Sequence, residues 1–168
     1  TANTAAEEFA KIYDVDVIFD VENILKAVKL LRSGFTLTYP YNGNFTDINR
    51  SYIQDGIIKK SSDSYVLKSY GGACFLNRAD YIKCGLENEN LKGGHVPDDV
   101  ERLSRIQKLG FPIERTAGAC YHIQHPPGPD MGNRNKLREQ NEAEYTKVNN
   151  MAKADLIKYI ETWEWVKK

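Results

Sequence analysis

Two helix-period segments that each run directly into a strand-like stretch constrain the fold of this chain more than any other feature. In VENILKAVKLLRSG (21–34) apolar residues fall at Val21, Ile24, Leu25, Val28 and Leu31, and Gly34 closes the run. That spacing predicts an amphipathic helix with a glycine stop. FTLTYPY comes next, alternating like a strand until Pro40. PDDVERLSRIQKLG (97–110) repeats the arrangement: Pro97 and the acids suit a first helical turn, Gly110 suits a C-terminal cap, and FPIERT continues as a strand. Around them, residues 2–8 read as a short helix, 9–13 and SYGGACFLNR as strands, RADYIKCGL as a helix ended by Gly85, and ACYHIQH as a strand. NGNFTDINRSYIQDGIIKKSSDS reads as a polar loop with a short helix near 47–58, PPGPDMGNRN as a loop, and 136–168 as mostly helical. Helices alternating with strands predict the α/β class.

At 168 residues the chain has the size of one domain with a real core, and 1–168 is read as a single domain. Its formal net charge of zero offers no electrostatic footprint for nucleic acid. No apolar run approaches the ~20 residues of a membrane span, and no signal peptide is recognised. Cys74, Cys84 and Cys120 lack metal-type spacing and read as reduced thiols, which points to a cytoplasmic protein. The opening NTAAEE resembles the middle of a helix, so a fragment of a longer protein is expected.

Three constellations could carry chemistry. Asp14 and Asp16 end an apolar strand-like run, KIYDVDVIF, and residues i and i+2 of an extended strand point the same way. Two carboxylates held together at a strand's C-terminal end favour a divalent cation. A solvated turn with two surface aspartates is the bland alternative, and a bare D-x-D does not exclude it. His122 and His125 can join carboxylates around a transition-type cation if the chain turns after residues 121–123; one core and one surface histidine is the alternative. Asp98 and Asp99 stand at a predicted helix N-terminus behind a glycine-rich segment, with Glu101, Arg102 and Arg105 beyond them. Acids there stabilise the helix dipole by roughly 0.3–1 kcal/mol each. A carboxylate at such a junction is also placed to take a proton from an incoming hydroxyl.

Taken in order, YDVDVIF, YGGACFLNRADYIKCGLENENLKGG, DDVERLSRIQKLGFPIER and YHIQH resemble the C-terminal half of the GT-A glycosyltransferase family typified by β-1,4-galactosyltransferase. The likeness runs from about residue 3 to about 135. Polypeptide N-acetylgalactosaminyltransferases and bacterial family-2 polysaccharide transferases share the architecture. The resemblance implies a mixed sheet flanked by helices, the nucleotide-diphospho-sugar transferase fold, with the N-terminal nucleotide-binding half missing. It implies Mn²⁺, or Mg²⁺, on Asp16, His122 and His125, and Asp14 against the ribose or sugar. It implies Asp99 as the base deprotonating the acceptor, Asp98 beside it in substrate binding, and Gly71, Gly72, Gly93 and Gly94 in the substrate site. His122 stands where the family can offer a methionine. KGGHVPDD lacks the family's tryptophan and carries Val96-Pro97 as an insertion, so Lys92, His95 or a neighbour would replace an aromatic sugar platform.

The activity so implied is inverting transfer of a galactose- or N-acetylgalactosamine-type hexose from a UDP-sugar donor to a saccharide acceptor. Bacterial surface-polysaccharide or glycoconjugate synthesis is the expected setting. A cytoplasmic location is expected, with peripheral association at the inner face of a membrane left open. Two other classes compete: a non-catalytic carbohydrate- or partner-binding relic, which the ten tyrosines would suit, and a metal-dependent hydrolase or phosphotransferase on the same carboxylates. The C-terminal Trp163 and Trp165 are expected to pack on the core.

Overall fold

The computed structural model describes residues 8–55, 57–58, 64–66, 68–93, 96–126 and 134–167. The chain is mixed α/β, with mixed sheets and flanking helices, and it divides into two compact units, residues 1–78 with 113–126 and residues 79–112 with 127–168.

The first unit runs β1 (Phe9–Tyr13), β2 (Val17–Ile18), α1 (Val21–Arg32), β3 (Leu37–Tyr39), β4 (Phe45–Ile48), β5 (Ile53–Gln54), β6 (Ile57–Ile58), β7 (Ser64–Val66), β8 (Ala73–Asn77), β9 (Ile113–Arg115) and β10 (Cys120–Ile123). One four-stranded sheet has the order β1-β8-β3-β9; only β3 and β9 pair in parallel. A second has the order β2-β10-β4-β7, in which β10 and β4 are the parallel pair. β5 and β6 form a separate two-stranded ribbon.

The core of this unit forms where α1 lies on the first sheet. Ala27 and Leu31 bury against Phe75, with Ile24 and Phe9 at the margin, and the Thr38 hydroxyl donates to the Ala27 carbonyl at 3.2 Å. The apolar face is therefore narrower than the sequence spacing suggests. Ile24, Ala27 and Leu31 share the stripe that recurs at three- and four-residue intervals, whereas Val21 and Leu25 lie outside it and are exposed.

The expected loop with a short helix near 47–58 is corrected. That stretch holds β4, one 3-10 turn at Arg50–Tyr52, and the β5–β6 ribbon. Thr46 and Ile48 point inward from β4, while Phe45 and Asp47 take the other face, as period-two alternation requires. The expected helix at 2–8 lies largely outside the described residues, as does most of the loop read at 126–135.

The second unit contains α2 (Arg78–Lys83) from Ala79 onward, α3 (Asp98–Leu109), α4 (Arg134–Asn150) and α5 (Lys153–Glu161). Leu103, Ile106, Val148, Leu156, Ile160 and Trp163 are buried in it. Gly110 caps α3 in the left-handed conformation, as the sequence predicts. Trp163 packs on the core as expected, and the Trp165 indole donates to the Gly85 carbonyl at 3.1 Å. No helix among the described residues is long and apolar enough to cross a membrane.

Charged side chains run through this interior. Arg105 donates through Nε and Nη2 to the two oxygens of Glu101, at 2.8 and 3.1 Å, through Nη1 to the Cys84 carbonyl, and through Nη2 to the Leu86 carbonyl at 2.8 Å. Its guanidinium also lies 5.2 Å from the centre of the Trp163 ring. Arg102 grips Glu87 at both oxygens, 2.7 and 2.9 Å, and donates to Asp99 at 2.9 Å. Two buried arginines thereby tie the 84–87 segment to α3, which positions the acids at that helix's N-terminus.

Candidate metal centre

The D-V-D segment does not sit on an extended strand. β1 ends at Tyr13, and residues 15 and 16 form a turn before β2. The expectation that Asp14 and Asp16 face one site as strand neighbours is therefore corrected: the alternation rule stops where the strand stops. Asp14 stays exposed, and its N–H donates to the Gly72 carbonyl at 2.8 Å. Asp16 is half-buried, and its carbonyl accepts from Ile123 N–H at 2.8 Å, which ties the turn to β10.

This tie brings Asp16 to the histidines. Ligand atoms of Asp16, His122 and His125 all lie within 4.8 Å of one another. Asp16 Oδ2 is 3.0 Å from His125 Nε2 and 3.6 Å from His122 Nε2. The two rings meet edge to face, with centroids 5.4 Å apart. His122 Nδ1 lies 2.8 Å from Asp47 Oδ1, and His125 Nδ1 lies 2.8 Å from the Pro126 carbonyl.

A carboxylate and a carbonyl only accept, so both Nδ1 atoms carry the proton and a neutral ring presents its Nε2 lone pair. Two nitrogen lone pairs and a carboxylate oxygen then converge without a donor among them. A divalent cation among them would offset that repulsion. Two imidazoles and one carboxylate form a donor set suited to Mn²⁺, Fe²⁺, Co²⁺ or Zn²⁺, whereas Mg²⁺ and Ca²⁺ favour all-oxygen sites. The residues fit a divalent transition-type ion.

The surroundings hold the cluster in place. Phe45 stacks on His122 with ring centres 5.4 Å apart. Burial, and then the negative charges of Asp14 and Asp16, push the Cys120 thiol up to about 12, and the thiol is not among the converging ligand atoms. Cys74, Cys84 and Cys120 are all buried, and none of them forms a disulfide.

Gly71 and Gly72 precede β8, beside this region. The Tyr41 hydroxyl donates to the Gly71 carbonyl at 2.5 Å. Arg115, lying over the rings of Tyr39 and Tyr70 at 4.3 and 4.5 Å, donates to the Ser69 carbonyl at 2.7 Å. Gly72 has φ of 85°, and a Cβ there would lie 2.9 Å from Phe45 Cε2 and 3.2 Å from Cys120 Sγ. Gly72→Ala is expected to cost about 2–4 kcal/mol through left-handed strain and overpacking. A thermal melt checks it; an unchanged melting temperature would refute the packing argument.

Asp98, Asp99 and Gly93 belong to the second unit, while Gly94 and His95 lie outside the described residues. Asp99 Oδ1 is held by Arg102, and Asp98 Oδ2 lies 3.6 Å from the same guanidinium. Burial, and then the charge of Asp99, push the Asp98 carboxyl above the usual range. For Glu87 burial acts in the same direction, but the Arg102 hydrogen bonds and charge, with the Tyr81 hydroxyl, outweigh it and hold the carboxyl low. Gly93 has φ of 83°, with Leu137 beside it, and Lys92 exchanges backbone hydrogen bonds with the Asn141 side chain.

Sequence reasoning passed over Asp47 and Phe45. The signal that could have found them is the run FTDI, alternating between turn-forming Asn44 and Asn49. Comparison with known proteins attaches no family to this geometry: no protein-family model and no curated protein matches the chain.

Proposed function

We propose that this chain carries the metal-binding part of a GT-A-type glycosyltransferase, which moves a hexose from a UDP-sugar to a saccharide hydroxyl. The observation that carries the reading is the convergence of Asp16, His122 and His125, with both Nδ1 atoms engaged elsewhere and both Nε2 atoms turned toward Asp16. A divalent ion bound there would supply Lewis-acid stabilisation of a diphosphate leaving group.

The chain's own residues divide the remaining work. Asp14, exposed just before the turn that carries Asp16, is assigned to the ribose or sugar hydroxyls. Asp99 takes the acceptor proton, and Asp98, whose proton affinity is raised, stands next to it. Assignment of Asp99 as the proton acceptor suits direct displacement with inversion. The same two-histidine, one-carboxylate set also serves zinc hydrolases, and response to a nucleotide diphosphate separates the two readings.

Thermal melts test this directly, because a ligand of the folded state raises its stability by mass action. Mn²⁺, Co²⁺ and Zn²⁺ are expected to raise the melting temperature, with Mg²⁺ and Ca²⁺ much weaker. UDP is expected to add a further rise only when Mn²⁺ is present. A UDP effect independent of metal would count against the transferase reading.

A further inference from the structure

Asp47 stands outside every motif that the sequence singled out, yet it lies closer to His122 than Asp16 does. It is the direct cross-strand partner of His122 in the parallel β4–β10 pair, and its Oδ1 lies 2.8 Å from His122 Nδ1. Phe45, two residues earlier on β4, covers the ring face at an interplanar angle of 30°. One strand therefore supplies both the hydrogen bond and the stack that orient this imidazole.

The direction of that hydrogen bond has a chemical consequence. An imidazole in water favours the tautomer with its proton on Nε2, which would aim an N–H at Asp16 and close the nitrogen to an ion. A carboxylate at Nδ1 reverses the preference, since it accepts the Nδ1 proton and leaves the Nε2 lone pair exposed. We propose that Asp47 is a positioning residue, which holds His122 in the Nδ1–H tautomer with Nε2 directed at a divalent cation shared with Asp16 and His125. Its bearing on function rests on the metal reading above, whereas the tautomer is a property of the metal-free chain. Partners that orient a ligand histidine in this way are worth roughly 10–100-fold in metal affinity.

Nitrogen-resolved NMR of the histidine side chains, on the metal-free protein at a pH above the ordinary histidine range, tests the first half. His122 is expected to show a protonated Nδ1 and an unprotonated Nε2. In Asp47→Leu the Nε2–H form is expected to gain, with Mn²⁺ affinity falling roughly 10–100-fold. Asp47→Asn keeps an accepting oxygen and is expected to recover part of the loss. A wild-type ring protonated at Nε2 overturns the proposal even if Asp47→Leu fails to fold, and so does an Asp47→Leu variant that binds Mn²⁺ as tightly as wild type. An Nδ1–H ring in a wild-type protein without Mn²⁺ affinity would support the tautomer assignment and overturn the metal reading instead.

Discussion

Arg105→Leu is expected to remove about 3–5 kcal/mol of stability from the second unit, the penalty for leaving a buried charge without its partner. Arg105 is 0% exposed and Glu101 1%, so the carboxylate abandoned by the substitution has no route to water. The carbonyls of Cys84 and Leu86 lose their donor at the same time, and Trp163 loses the guanidinium lying near its ring. Taking out both charges in Glu101→Leu with Arg105→Leu is expected to recover part of the loss, because the desolvation cost then disappears from both sides. Urea denaturation monitored by tryptophan fluorescence reads the effect, since Trp163 and Trp165 both belong to this unit. A single variant within about 1 kcal/mol of wild type, the range of exposed pairs, would show that Arg105 is not what holds α3 to the 84–87 segment.

The second large effect falls on metal affinity. Asp16→Ala, His122→Ala and His125→Ala are each expected to weaken Mn²⁺ binding by roughly 100-fold or more, because loss of an orienting partner alone costs roughly 10–100-fold. All three side chains are partly or fully exposed, so truncation removes a donor without emptying a core position, and the thermal melt is expected to change little. Asp14→Ala is the informative control. Asp14 is not among the converging ligands, so its loss is expected to leave Mn²⁺ affinity near wild type. Isothermal titration separates the cases. Equal losses at Asp14 and Asp16 would restore the picture of two paired carboxylates that the sequence suggests and the turn geometry replaces.

Much of the fold is legible because its signals are local. The helix at 21–32 and that at 98–109 carry their period, their stop residue and the next strand within one stretch of chain. The strand into the aspartates is legible for the same reason. The turn beyond Tyr13 is not, because at Asp16 it is set by a hydrogen bond to Ile123, on a strand more than a hundred residues away. Spacing within D-V-D cannot reveal that. β4 is hidden differently: Asn42, Gly43, Asn44, Asn49 and Asp55 surround a four-residue strand with turn chemistry, and their signal dominates the window.

The candidate site divides along the same line. His122 and His125 are legible as possible ligands from type and spacing, and Asp16 from its place after a strand. Asp47 is not, because a lone aspartate in a polar stretch is ordinary until a parallel neighbour places a histidine opposite it. For Glu101 and Arg105 the four-residue interval marks a helical pair, but their burial comes from the packing of α3 in the second unit.

Whether Asp16, His122 and His125 share one ion is best decided by pulsed electron paramagnetic resonance of the Mn²⁺-loaded chain, which detects the nuclei that touch the metal. Nitrogen couplings from two imidazoles are expected, reduced to one in His122→Ala or His125→Ala, together with a phosphorus coupling that appears when UDP is added. Mn²⁺ bound without imidazole nitrogen couplings, or no bound Mn²⁺ in a folded wild-type protein, would refute the shared site.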